Sequence, residues 1–228
     1  MRKVTGLIVA ATLVFGLTAC GKKEESPSEA PTPTVTSTST PTRTPTVNDA
    51  PAPALTGSFA MDGPAPVPDA TYASMPYVLP LNPAGPQETM VRWVEGWGVD
   101  PKHAETGTMY VLGHAWGQQK LVFNPISEKV TAAVNLSEPP QQVPAVSGDT
   151  VGRHATPVLN GSRITMRDDA GLAREWIVDN AYLVDKYDAI EDKELVDEHA
   201  PGRIVLIACS VSGTDDLGYN VIVTGHLA

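Results

Sequence analysis

Two apolar, β-branched-rich runs far apart in the chain share one pattern: Gly107-Thr108-Met109-Tyr110-Val111-Leu112-Gly113-His114 and Arg203-Ile204-Val205-Leu206-Ile207-Ala208-Cys209-Ser210. Each predicts a buried strand. Each also ends on a residue able to do chemistry, a histidine in one and a cysteine in the other. Were the two strands neighbours in one sheet, an imidazole and a thiol would face each other at its rim. That is the minimum equipment for cysteine-based acyl transfer.

Between and beyond these runs the pattern is again mostly that of short strands. Arg163-Ile164-Thr165-Met166 and Ala173-Arg174-Glu175-Trp176-Ile177-Val178 alternate apolar with polar positions, with a turn over Asp168 to Gly171, and predict a hairpin. Tyr182-Leu183-Val184 extends this region as a further strand. Asn160-Gly161 is a tight-turn signal, and Asn220-Val221-Ile222-Val223-Thr224 reads as a closing strand after the turn at Ser212 to Asp216. Met90 to Val94 fits a strand or a short helix, and Trp93 and Trp97 are packing residues. The best helix pattern is Asp188 to His199, with Ile190, Leu195 and Val196 on an apolar side and Pro201-Gly202 as its stop. Prolines at 139, 140 and 144 make 135–148 a loop or insertion. Prolines also crowd Ser58 to Gln87, which is expected to drape over the domain. Several turn-punctuated strands with little helix predict a mainly β fold, a closed or nearly closed barrel.

The start of the chain follows different rules. Met1-Arg2-Lys3 is a basic n-region and Val4 to Phe15 an apolar run too short to span a bilayer, which needs about 20 residues. Leu17-Thr18-Ala19-Cys20-Gly21 then resembles a bacterial lipoprotein lipobox, in which the cysteine is lipidated and becomes the new N-terminus. Residues 1–19 are thus expected to be a lipoprotein signal peptide. Residues 20–57 follow as a lipidated Cys20 and a Pro/Thr/Ser-rich tether with almost nothing apolar to bury, and 58–228 as the folded domain. A tether of that length reaches somewhere between about 30 and 100 Å from a membrane anchor. The expected location is the outer face of a bacterial cell membrane, with the domain facing the cell wall.

Composition narrows the chemistry. Of 228 residues, 42 % are hydrophobic, enough for a packed core. The formal net charge is -10, and Arg2 and Lys3 leave with the signal peptide, so no Lys/Arg cluster remains for phosphates or anionic lipid. Nucleic-acid binding is not expected. Only two cysteines are present, and if Cys20 carries lipid then Cys209 has no partner for a disulfide within the monomer. A lone exported thiol is either a buried filler or a nucleophile, and composition alone favours the filler. His103, His154, His199 and His226 are scattered, with no metal-ligand spacing among them.

Taken in order, the strand ending Gly-His, Phe123 after a short gap, the Asn-Gly turn and hairpin, the acidic segment, the strand ending in Cys and the short final strand resemble the sortase family. The likeness is to the small sortases of high-GC Gram-positive bacteria. It covers roughly residues 75 to 228 and is carried chiefly by Leu112-Gly113-His114 and Leu206-Ile207-Ala208-Cys209. The resemblance implies a sortase-like barrel of about eight strands with one or two short helices. It implies a cysteine transpeptidase that cleaves exported proteins at a C-terminal L-P-x-T-G-like sorting motif, holds them as a thioester, and passes them to an amine of a peptidoglycan precursor or a pilin. No cofactor and no metal are implied. Cys209 would be the nucleophile and His114 the acid that protonates the leaving amine.

The family's third residue, an arginine on the strand after the cysteine, is absent. No arginine follows Arg203, which lies six residues before Cys209, about 20 Å away along a strand. Asn220 stands at approximately the arginine's place as a support for oxyanion or substrate, and Arg153 or Arg174 are alternatives from neighbouring segments. Ala208 replaces the usual threonine. The competing expectation is therefore a catalytically impaired lipoprotein of the same fold that serves as a cell-surface binding module. A wall cross-linker of L,D-transpeptidase type ranks third, because its S-H-G-C string is missing.

Overall fold

The computed structural model describes residues 54–228. The expected signal peptide, Cys20 and most of the expected tether lie outside the described residues. From Ala54 onward the chain is tied to the rest: the Ala54 N–H donates to Asp168 Oδ2 at 2.9 Å, the Ala54 carbonyl accepts from the Tyr72 hydroxyl at 2.8 Å, and Trp93 Nε1 donates to the Leu55 carbonyl at 2.9 Å.

Ten strands follow, in chain order β1 (Gly57–Met61), β2 (Val67–Pro76), β3 (Met90–Gly98), β4 (Thr108–Leu112), β5 (Gln141–Pro144), β6 (Thr150–Thr156), β7 (Arg163–Arg167), β8 (Ala173–Asp185), β9 (Arg203–Ser212) and β10 (Asp215–Leu227). One α-helix, α1 (Asn124–Ala133), lies between β4 and β5. Pairing runs β10-β9-β4-β3-β2-β1-β7-β8, and β8 pairs back to β10, so eight strands close a barrel. The thirteen-residue β8 makes closure possible. One of its edges is shared lengthwise by β7 and β6 while the other carries β10, and β5 pairs on the outside of β6.

Side chains alternate between two apolar clusters, as strand geometry requires. Met109, Val111, Ile204, Leu206, Ala208, Val221 and Val223 pack with Phe59, Phe123 and Trp176 in one cluster, the barrel interior. Tyr110, Leu112, Val205, Ile222, Tyr182 and Val184 form the other, on the outer face of β4, β9, β10 and β8. Apolar residues on both faces explain why β4 and β9 read as continuous hydrophobic runs. The outer cluster is covered by the segment 186–202, which is held down by buried or half-buried bonds. The Tyr110 hydroxyl donates to the Leu195 carbonyl at 2.8 Å, Thr108 Oγ1 to the Asp197 carbonyl at 2.7 Å, and the Arg153 guanidinium pairs with Asp192 and Glu194.

Three expectations change. The stretch 58–87 does not merely drape over the domain, because it supplies β1 and β2, whose Phe59, Met61, Val67 and Tyr72 are buried. Asp188 to His199 is not a helix: only Ala189–Glu191 makes a 3-10 turn. The helical reading places Asp192 on a solvated face, whereas its carboxylate is fully buried against Arg153, and that pairing takes precedence over local propensity. The 135–148 loop contains β5, and α1 precedes it with Pro125 in its first turn.

Candidate active site

The site is one row of outward-facing positions on four adjacent strands. Leu112 of β4 is paired with Ile207 of β9, Ile207 with Ile222 of β10, and Ile222 with Tyr182 of β8. Two residues along, the same faces carry His114 just past β4, Cys209 on β9, Asn220 on β10 and Val184 on β8; Cys209–Asn220 and Asn220–Val184 are direct cross-strand pairs. Directly opposed residues share a face, so thiol and carboxamide project together. The strand carrying the cysteine does not end there, as expected, but runs three residues further to Ser212.

α1 and the turn before it fasten both residues. Phe123 donates its N–H to the His114 carbonyl at 2.9 Å, and Gly113 donates to the Ile207 carbonyl at 3.1 Å, so His114 is pinned from both sides. Gly113 is needed here because a Cβ would meet the Phe123 ring at 2.4 Å. Asn124 holds the loop after His114, accepting from the Trp116 and Leu121 N–H groups and donating to the Trp116 carbonyl. Ser127, fully buried, donates to the Cys209 carbonyl at 2.7 Å and accepts from the Val211 N–H at 3.0 Å.

His114, Cys209, Asn220 and Lys186 all line one cavity of about 750 Å³, whose floor is the Leu112–Ile207–Ile222 row. One wall is the segment 186–202, through Ala189, Ile190 and Leu195. The opposite wall is the β2–β3 connection, whose Tyr77 ring lies tilted against Trp97 at 5.5 Å between centroids, Trp97 being stacked face to face on Tyr110 at 3.7 Å. That connection also touches the histidine: His114 Nε2 lies 2.8 Å from the Pro83 carbonyl. A carbonyl only accepts, so Nε2 carries the proton and Nδ1 is the acceptor in the neutral ring. The cavity rim keeps apolar side chains in solvent, Leu79 and Val146 each at 58 % and Ile190 at 55 % exposure.

Sequence reasoning missed Lys186. It stands two positions beyond Val184 on the same outward face, its N–H bonded to the Gly218 carbonyl at 3.1 Å. Its ammonium pairs with Asp216 Oδ2 at 2.5 Å, and the side chain lines the same cavity as Cys209. Burial pulls the Lys186 ammonium down, but the Asp216 hydrogen bond and the charge of Cys209 outweigh it, and the group is held above the ordinary lysine range. Burial likewise pushes Asp216 up, and Lys186 and the Gly218 N–H more than reverse this, holding it below the ordinary carboxylate range.

No arginine lines the cavity. Arg153 is committed to Asp192 and Glu194, Arg174 pairs with Glu105 at 3.5 Å, and Arg203 donates to Thr108 Oγ1 and to the carbonyls of Glu194 and Asp197. The other histidines lie elsewhere: His103 pairs with Asp100, His226 with Asp179, and His154 sits edge-on to Tyr219.

No family model and no curated protein matches the sequence. Solved structures do. The structures it is similar to are sortases. Sortase A of Listeria monocytogenes is 14 % identical, with a TM-score of 0.43, over 75 % of this chain and 87 % of that one. A Clostridium perfringens sortase D5 transpeptidase is 13 % identical, with a TM-score of 0.43, over 75 % and 79 %. Sortase C-1 of Actinomyces oris is 14 % identical, with a TM-score of 0.41, over 75 % and 73 %. At these levels the chemistry of the site is read from its own residues.

Proposed function

We propose that this protein is a lipid-anchored cysteine transpeptidase of sortase type. The observation that supports this most is the outward row in which Cys209 and Asn220 are direct neighbours, with His114 at the end of the adjoining strand, over an apolar cavity. Cys209 gives its thiol proton to His114, Sγ attacks the carbonyl carbon of the scissile peptide bond, a S–C bond forms, and the carbonyl π pair moves to oxygen. Collapse of that adduct breaks the C–N bond, the amine leaves with a proton from His114, and a thioester remains. An acceptor amine then attacks the thioester carbon, gives its surplus proton to His114, and expels the thiolate. The Asn220 carboxamide, paired across from Cys209, is the neutral donor assigned to the oxyanion, a role in which a lost donor costs about 3 to 4 kcal/mol.

The substrate class is an exported polypeptide with a C-terminal L-P-x-T-G-like sorting motif, and the acceptor an amine of a peptidoglycan precursor or a pilin. An apolar cavity with an apolar, solvent-exposed rim suits an extended peptide better than a small polar metabolite. The lipobox at Cys20 would place the domain at the outer membrane face, within the tether's reach of the wall.

Incubation with a sorting-motif peptide is expected to give an acyl adduct on Cys209 by mass spectrometry, lost in Cys209→Ala and strongly reduced in His114→Ala. Cleavage that persists in Cys209→Ala removes the assignment. Saturable peptide binding without any adduct supports the binding-module reading in its place.

A further inference from the structure

We propose that Lys186 is the cation of this active site and that Asp216 is the residue that positions it. This rests on the acyl-transfer reading and deepens it. Three observations carry it. First, Lys186 lies two residues beyond Val184, on the same outward face as the Val184–Asn220–Cys209 row, and its side chain lines the cavity that holds Cys209. Second, among the residues lining the cavity it is the one lysine or arginine.

Third, the backbone is shaped around the pair. β10 loses its regular register against β9 between Asp216 and Asn220, where Gly218 adopts φ +78°. Such a bulge re-aims side chains beside a site. Here Asp216 Oδ1 accepts the Gly218 N–H at 2.9 Å while Oδ2 takes the Lys186 ammonium, and Gly218 returns its carbonyl to the Lys186 N–H. The carboxylate is locked by its own strand and the ammonium by the carboxylate. A lysine normally spends its long stem's freedom in solvent; holding it over the cavity costs rotamer entropy that the ion pair offsets.

The chemistry explains why a fixed cation belongs there. Negative charge is on sulfur before attack, moves to the carbonyl oxygen as the S–C bond forms, and returns to sulfur when the acceptor amine displaces it. An ammonium in the cavity of Cys209 faces this charge at the start of the first half-reaction and at the end of the second, and stays protonated throughout, so proton transfer remains with His114. An electrostatic partner that is already in place needs no reorganisation as charge develops.

The test uses the full chain and reads Cys209 apart from Cys20 by peptide-resolved mass spectrometry. Alkylation rates are measured with anionic iodoacetate and neutral iodoacetamide at one pH, in the native protein and in Lys186→Met, Lys186→Arg and Asp216→Asn. A cation at the sulfur attracts the carboxylate of iodoacetate. The iodoacetate-to-iodoacetamide ratio is expected to fall about tenfold in Lys186→Met, from the loss of a unit charge in the cavity that holds the thiol. It should stay near native in Lys186→Arg and fall partway in Asp216→Asn. An unchanged ratio in Lys186→Met overturns the proposal, even if the native protein forms an acyl adduct with peptide. A ratio that falls while the native protein forms no adduct keeps the cation and removes acyl transfer. If Lys186→Met does not fold, a native-like ratio in folded Asp216→Asn overturns the positioning role, and a partial fall supports it.

Discussion

His114 donates its Nε2 proton to the carbonyl of Pro83 at 2.8 Å, so the connection between β2 and β3 is latched onto the candidate catalytic imidazole. The same connection is tied elsewhere through Arg92 to the Ala84 carbonyl and through the Gln87 carbonyl to Val122. Neutral His114 should therefore be the Nε2–H tautomer, visible in ring nitrogen chemical shifts. Leu81, half-buried against the outer cluster, helps seat this strap. Leu81→Asp should release it and speed carbethoxylation of His114 several-fold, roughly the effect of weakening one net hydrogen bond of about 1 kcal/mol. An Nδ1–H tautomer would remove the latch.

Gly113 has no room for a methyl group. In Gly113→Ala the added carbon collides with Phe123, and overpacking of this kind costs about 1 to 3 kcal/mol. His114 is the next residue, so the acyl-adduct rate should fall with stability. Phe123→Leu in the same chain should recover part of both, which equilibrium unfolding and single-turnover kinetics can check.

Ser127 ties α1 to the strand that bears the nucleophile. Ser127→Ala leaves the Cys209 carbonyl and the buried Val211 N–H without this partner, at a cost of about 1 to 3 kcal/mol for each group stranded. Denaturant titration should show the loss with little change in the slope. Ser127→Thr, which keeps the hydroxyl, should lose less.

Arg153 and Asp192 are a buried ion pair, with the guanidinium also 4.3 Å over the Tyr182 ring. Arg153→Met strands a carboxylate in the interior and should cost about 3 to 5 kcal/mol. The wall of the cavity over 186–202 should loosen with it, seen as faster amide hydrogen exchange at Leu195 and Val196. Arg153→Met combined with Asp192→Leu should regain most of the stability, since no unpaired charge is left.

The Lys186–Asp216 pair sets a pH window. Asp216 is held below its ordinary range, so its contribution is full above the unfolded carboxylate pKa and is lost as pH falls through the folded one. Lys186 is held above its ordinary range, so its contribution is full below the unfolded lysine pKa and is lost as pH rises through the folded one. Both side chains are partly exposed, which limits the pair to less than about 1 kcal/mol. Native protein and Asp216→Asn should differ in stability near neutral pH and converge below the folded Asp216 pKa. A constant difference down to strong acid would contradict this.

Much of the barrel is visible in local pattern. The hairpin of β7 and β8 shows as two alternating runs around Asp168 to Gly171, and β4 and β9 show as β-branched runs, because side-chain alternation and turn chemistry act within a few residues. β1 and β2 are hidden by prolines at 64, 66, 68 and 76, which suit strand ends and bulges as well as loops. α1 is short, with few apolar residues, and the acidic segment after β8 imitates a helix until Arg153 claims Asp192.

The sequence by itself determined that a histidine and a cysteine each stand toward the end of an apolar, β-branched run, that a hairpin and a closing strand accompany them, and that the arginine expected near the cysteine is missing. Only the tertiary structure decided that β4, β9, β10 and β8 are neighbours in that order, that Ser127 and Phe123 fasten the reactive residues, and that Lys186 lines the cavity of Cys209. Alternation along a strand reports a face but not a neighbour. Where both faces are apolar, as in β4 and β9, it does not even say which face is the inside, and the choice of partner strand is made by hydrogen bonds between residues far apart in the chain.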